Sequence, residues 1–245
     1  MNSGQLRRWA TKLRRTPLHP QWLLGRPEKM AAWVRGNCKG LVLDLGAADR
    51  WVEKHLDTSV KYFSLDYPAT GQALYNAKPD IFGNASLLPF SNNSIDTVIL
   101  FEVLEHLEQP KAALEEIYRV LKPGGNLLLS LPFLYPLHDE PYDFQRYTEF
   151  GLRRELSATK FKIRNLEPTL GSAETAGLLG SITLAGMVQT SLKSRHPALV
   201  FAPIVVLAIF FNNVLSWLFG KLAPSWPNTS AGYKAEVFKI RKDDE

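Results

Sequence analysis

Short apolar runs alternate with amphipathic stretches from Gly40 to about Thr169. The runs at 41–45, 61–65, 81–84, 96–101, 126–131 and 161–166 have strand length and lie between turn-forming residues, which predicts buried strands. Residues 111–121 place Leu114, Ile117, Tyr118 and Leu121 on one helical face and stop at Pro123-Gly124-Gly125. That is a breaker followed by residues that permit a left-handed turn. Thr148 can cap a helix over 149–156, with Glu149 in its first turn. Strand and helix alternating in this way predict a parallel sheet covered on both faces by helices.

After Thr169 the pattern changes. Residues 175–192 carry no charge and neither do 197–220, with Lys193-Ser-Arg-His196 between them; residues 235–240 read as a strand again. A hydrophobic helical insertion therefore precedes the last strand. Residues 198–219 make a stretch of 22, enough to cross a bilayer, but Pro203 and Asn212-Asn213 interrupt it. The first half has only a stripe, Leu178, Ile182, Ala185, Val188 and Leu192. Two spans would leave Lys193 and Arg195 opposite the sheet-bearing segments, against the positive-inside tendency for a cytoplasmic enzyme. The expectation is a monotopic or interfacial helical pair, with a lid or a homo-oligomer interface as the alternative.

Charge sharpens this picture. Arg7, Arg8, Lys12, Arg14 and Arg15 precede the first acid, Glu28, and equal the whole net charge of +5, so the remaining chain is neutral. With Leu6, Trp9 and Leu13 at helical spacing, they suit either a basic amphipathic helix on an anionic membrane surface or a solvated terminus. A neutral body gives nucleic acid no continuing groove. The single cysteine, Cys38, excludes an intramolecular disulfide and fits a reducing compartment.

Candidate chemistry begins at the strand ends. Leu41-Val-Leu-Asp-Leu-Gly-Ala-Ala-Asp49 runs from an apolar strand into a glycine turn, and the next strand, Tyr62-Phe-Ser-Leu-Asp66, ends in a carboxylate. Adjacent strand ends of this kind outline a nucleoside site, backbone close to the ligand and an acid for the ribose diol. Further on come Gly83-Asn-Ala-Ser-Leu-Leu-Pro-Phe90, Phe101-Glu-Val-Leu-Glu-His-Leu107 and Leu121-Lys-Pro-Gly-Gly125. In this order the five elements resemble the class I S-adenosylmethionine-dependent methyltransferases, over roughly residues 40–156.

The resemblance implies a Rossmann-like α/β fold, a seven-stranded, mostly parallel sheet with an antiparallel last strand. It implies that Gly46 and Ala47 pass close to the methionyl part of the cofactor and that Asp44 orders their turn. Asp66 would accept from the ribose hydroxyls, and Tyr67 would lie against adenine. Asn84 and the Ala85 backbone would read the base, and Phe101 and Glu102 would close the pocket. Where the family has Gly-x-Gly-x-Gly, this chain has Gly46-Ala-Ala-Asp-Arg50, and alanine suits the second place where backbone dihedrals are ordinary. Glu105 and His106, read as neighbours on a helix, point to different faces, which argues against shared ligation, so no metal is expected.

The acceptor side is read from Pro132-Phe-Leu-Tyr-Pro-Leu-His-Asp-Glu-Pro-Tyr-Asp-Phe-Gln-Arg-Tyr-Thr148. This loop follows the fifth strand, and ligands bind beyond the carboxyl ends of strands. His138 is the candidate base for a hydroxyl acceptor, because imidazole as a side-chain type titrates near working pH; Asp143 and Arg146 are read as an ion pair fixing the loop. No Asn/Asp-Pro-Pro-Tyr turn follows the fourth strand, which argues against exocyclic amines of bases or glutamine as acceptors. The expected organisation is a basic segment over 1–39, a cofactor-binding core over 40–170, the apolar insertion over 171–230 and the last strand with the tail over 231–245. The expected function is O-methylation of a lipid-linked, glycan or other amphiphilic small molecule at the cytoplasmic face of a membrane. A non-catalytic membrane adaptor and a nicotinamide-dependent oxidoreductase are the alternatives.

Overall fold

The structure, a computed structural model, describes residues 13–25 and 27–241. Its sheet comprises β1 (Leu41–Leu45), β2 (Lys61–Asp66), β3 (Ile81–Phe82), β4 (Ile95–Phe101), β5 (Leu121–Pro132), β6 (Lys162–Pro168) and β7 (Gly232–Phe238). The strand order is β3-β2-β1-β4-β5-β7-β6. The β3–β2, β2–β1, β1–β4 and β4–β5 pairs are parallel, and β7 runs antiparallel to β5. The expected seven-stranded sheet with an antiparallel last strand is thus the one observed.

Helices α1 (Pro27–Asn37), α2 (Pro68–Tyr75), α3 (Pro110–Val120) and α4 (Glu149–Ala158) accompany the sheet. Apolar strand residues serve both faces: Leu43, Leu45, Val98 and Leu100 enter one core cluster, whereas Val42 and Ile99 enter the other. Burying each such side chain contributes about 1.5–3 kcal/mol, which is why these strands read as largely apolar runs. Thr148 caps α4 as expected, its Oγ1 accepting from Gly151 N–H at 3.1 Å. Some boundaries move: the last strand spans Gly232–Phe238 rather than 235–240, α3 ends at Val120, and β5 begins at Leu121, paired with Ile95 before a register shift. Lys122-Pro-Gly-Gly125 therefore lies inside a bulged strand, with Gly124 N–H donating to the Lys239 carbonyl.

The chain divides into two compact units. One holds the sheet and α1 to α4, from Pro27–Phe133, Leu137–Glu167 and Gly232–Glu245. The other holds Met1–Arg26, Leu134–Pro136 and Pro168–Ala231; Leu6, Arg7, Arg8, Trp9 and Lys12 of the expected amphipathic helix lie outside the described residues. Its two long helices, α5 (Ser172–Ser194) and α6 (Ala202–Leu222), run antiparallel, as shown by Gly177 beside Ser216 and Ser181 beside Asn213. A Cβ on Gly177 would lie 2.2 Å from Ser216 Oγ, so glycine sets how closely the helices approach.

Contrary to the expectation, neither Pro203 nor the asparagine pair breaks α6. Pro203 sits in the first turn, where its missing N–H costs no helical bond. Asn212 donates to the Gly177 carbonyl and to Ser181 Oγ, and Asn213 donates to the carbonyls of Pro17 and His19. The stretch Pro197–Leu222 is long and apolar enough to cross a membrane. Ile204, Leu207, Phe211, Leu215, Leu218 and Leu222 form an exposed stripe along it at helical spacing.

Candidate cofactor and acceptor site

The turn after β1 is held by the end of β2. Gly46 N–H donates to the Leu65 carbonyl at 2.8 Å, and Ala48 N–H donates to Asp66 Oδ2 at 2.9 Å. The other Asp66 oxygen accepts from Tyr67 N–H at 2.8 Å. Each carboxylate oxygen thus holds one loop amide and keeps capacity for another donor. Burial lifts the Asp66 carboxyl above its ordinary range, and the two amides work against that rise. Gly46 has φ +72°, and a Cβ there would lie 2.3 Å from Val103 Cγ2, an approach that only glycine allows.

Ala48 and Arg50 also take left-handed φ, +44° and +56°. The dihedrals are therefore not ordinary at either place where glycine is replaced, so the condition under which alanine suits the second place is not met. The loop keeps the backbone shape of a glycine-rich turn because its neighbours impose it. Arg50 is tied by ion pairs to Glu53 at 3.0 Å and Asp80 at 2.8 Å, and Asp80 in turn accepts from Ser64. Among the described residues, Ala48 is held by its amide bond to Asp66. Ala48→Gly is expected to stabilise the protein by about 1 kcal/mol by removing the left-handed penalty, raising Tm by about 2–4 °C. Thermal unfolding followed by circular dichroism checks this, and a lowered Tm would refute it.

The other expected cofactor residues divide. Ala47 and Ala85 are buried, whereas Tyr67 and Asn84 are exposed. Gly83 N–H donates to the Asp66 carbonyl at 3.0 Å, so the 83–85 turn is tied to the same strand end. Asn84 Oδ1, the atom expected to read adenine, already accepts from Ser86 N–H at 2.8 Å. Asp44 is buried, and its partner is the Tyr62 hydroxyl at 2.7 Å rather than the turn. Burial pushes the Asp44 carboxyl up to about 7; the Tyr62 hydrogen bond opposes this and Asp66 adds to it. Phe101 stacks between Trp33 and Trp51 at 5.5 and 6.2 Å.

On the acceptor side, the loop after β5 is clamped to the turn after β4. Gln145 donates to the carbonyls of Leu104 and Leu107, and Phe144 N–H donates to the Glu105 carbonyl. Arg146 pairs with Asp143, whose carboxylate also accepts from His138 N–H at 3.0 Å. Burial works against the Asp143 carboxylate, but the bonds from Arg146 and His138 N–H outweigh it and hold its pKa down at about 2. His138 is thereby fixed in place, its ring edge-to-face with His106 at 4.9 Å.

Sequence reasoning missed the grouping around Glu105. Glu102 takes a left-handed φ of +53°, its Oε1 accepts from Ser130 Oγ, and residues Leu104–His106 form a 3-10 turn. This turn aims Glu105 and His106 at one point, with Oε1 and Nε2 3.7 Å apart. The different-faces argument fails because the segment is not an α-helix. Burial drives the Glu105 carboxyl well above its ordinary range, and the nearby Glu102 adds to the shift.

Residues 43–129 match the model of the methyltransferase domain family. The match confines the likeness to a methyltransferase domain to that stretch, less than half of the chain. A demethylmenaquinone methyltransferase of Paenarthrobacter aurescens is 35% identical over 130 residues, 50% of this chain and 49% of the relative. A probable S-adenosylmethionine-dependent methyltransferase of Mycolicibacterium smegmatis is 31% identical over 153 residues, 56% of each chain. The chain spans about half the length of the curated relatives it matches. The crystal structure of the cyclase SpnF superposes with a TM-score of 0.54 at 17% identity, covering 87% of this chain and 80% of that one. At that identity the likeness shows the fold, and a fold hosts more than one reaction.

S-adenosylmethionine is the cofactor of this methyltransferase class. The residues present fit it: the Gly46 turn leaves no room for a side chain, and Asp66 keeps acceptor capacity at the strand end. Gly46 and Ala47 would lie along its methionyl part, Asp66 at the ribose, and Tyr67 with the 84–85 turn at the base.

Proposed function

We propose that this protein methylates an oxygen of a lipid-linked, glycan or other amphiphilic small molecule at the surface of a membrane. The methyl-transfer reading is carried by the Gly46 turn held against the Asp66 carboxylate. When bound, S-adenosylmethionine supplies a methyl group on a sulfonium, a good leaving group, so orientation and exclusion of water dominate the catalytic task. Gly46 and Asp66 orient the cofactor, and the clamped loop after β5 orients the acceptor. His138 takes the proton of the acceptor hydroxyl, with Asp143 fixing the ring's backbone and lying 3.3 Å from Nδ1.

The membrane part rests on the exposed stripe of α6 and on charge. Within Pro168–Ala231 the cations Lys193, Arg195 and Lys221 face a single acid, Glu174, a balance suited to anionic lipid. A second reading, methylation at carbon of a phenolic lipid, is favoured by the demethylmenaquinone methyltransferase among the relatives. Removing the phenol proton activates both the oxygen and the neighbouring ring carbon, so His138 serves either outcome.

Incubation of the protein with methyl-labelled S-adenosylmethionine and membrane or soluble extracts tests the proposal. Label is expected in solvent-extractable membrane lipid, as a methyl ether. A label on ring carbon selects the second reading, and label confined to water-soluble products overturns the amphiphilic acceptor.

A further inference from the structure

Glu105 is fully buried, and among the described residues neither of its carboxylate oxygens has a hydrogen-bond partner. A buried carboxylate in that state is strongly unfavourable unless a positive charge meets it. Oε1 faces two imidazoles, with His106 Nε2 at 3.7 Å and His138 Nε2 at 3.8 Å. These separations are too long for hydrogen bonds. They are within a few tenths of an ångström of the roughly 3.4 Å between two ligands that each sit about 2.1 Å from a tetrahedral cation. One ligand atom from each of the three residues lies within 4.8 Å of the others.

The imidazoles are also backed for ligation. His106 Nδ1 lies 2.8 Å from the Tyr142 carbonyl, which can only accept, so in the neutral ring Nδ1 carries the proton and Nε2 the lone pair. His138 Nδ1 lies 3.3 Å from Asp143 Oδ2, a carboxylate that Arg146 holds in place. A carbonyl or carboxylate behind Nδ1 is the outer shell that orients metal-bound histidine. Asp139 Oδ2, 3.9 Å from His106 Nε2, places a further oxygen at the rim.

We propose that Glu105, His106 and His138 bind a divalent first-row cation of the zinc or manganese kind. Two imidazole nitrogens and a carboxylate suit such ions, whereas calcium takes an all-oxygen shell. The role of the ion, though not its binding, rests on the methyl-transfer reading. In the loaded site the acceptor hydroxyl takes an open coordination position, its O–H bond breaks, the proton passes to water and the electron pair stays on the oxygen. The cation stabilises that oxyanion as it does a bound hydroxide, and so takes over the task that His138 alone performs in the metal-free protein.

Calorimetric titration of chelator-stripped protein with Zn2+ or Mn2+ tests the site. The wild-type protein is expected to bind one equivalent, and Glu105→Gln and His138→Gln to weaken binding about 100-fold or more. Thermal unfolding reports whether each variant is folded, and His138, being partly exposed, is the safer of the two. No detectable binding by the wild type, or wild-type affinity in both variants, overturns the site. S-adenosylmethionine is titrated in parallel. Failure of that titration alone overturns methyl transfer and leaves the metal site standing; failure of the metal titration alone does the reverse.

Discussion

Asp66→Ala is expected to lower affinity for S-adenosylmethionine by at least about 100-fold while the sheet still folds. A hydrogen bond to a charged group contributes about 1.5–3 kcal/mol, and two ribose hydroxyls would lose such an acceptor. The same substitution removes the acceptor of Ala48 N–H and Tyr67 N–H, so the turn loses its tie to β2. Asp66→Asn keeps one acceptor oxygen and should show a smaller loss. Because burial lifts the Asp66 carboxyl above its ordinary range, affinity should also fall on acidification before an ordinary aspartate would protonate. Calorimetry at several pH values, with circular dichroism as the control for folding, measures each effect. Unchanged affinity in Asp66→Ala would remove the cofactor site from this strand end.

Release from membranes is the second large effect. Ile204→Glu combined with Phe211→Glu puts two charges into the outward stripe of α6, at side chains 63% and 59% exposed. Each lost apolar contact with lipid removes about 2 kcal/mol of binding, and about 4 kcal/mol together is roughly a 1,000-fold loss of partitioning. Both positions face outward, so unfolding temperature should change little. Sedimentation with vesicles rich in anionic lipid reads the result, and equal pelleting of the variant and the wild type would refute membrane docking through this face.

Much of the sheet was legible because strands buried on both faces admit few polar residues. Leu41–Leu45 carries its own signal, and Gly46 and Asp66 mark the strand ends as a candidate site. What escaped was set by distant partners. The left-handed φ of Arg50 is held by Asp80, and no local pattern announces that tie. The continuity of α6 through Asn212 and Asn213 depends on Ser181 and on the carbonyls of Pro17 and His19, all remote in sequence. The Glu105, His106 and His138 grouping needs a 3-10 turn from one segment and a loop from another, so helical spacing argued against it.

The polar seam between α5 and α6 has a consequence for the stripe outside it. Sliding α6 by one turn along its partner would strand the amides of Asn212 and Asn213 among apolar neighbours, at about 1–3 kcal/mol for each orphaned group. Rotating it would do the same. The asparagines therefore act as keys that fix both register and azimuth, so Ile204, Phe211 and Leu222 share one outward bearing. A helix bound to its neighbour by greasy contacts alone could roll; this one presents the same edge every time.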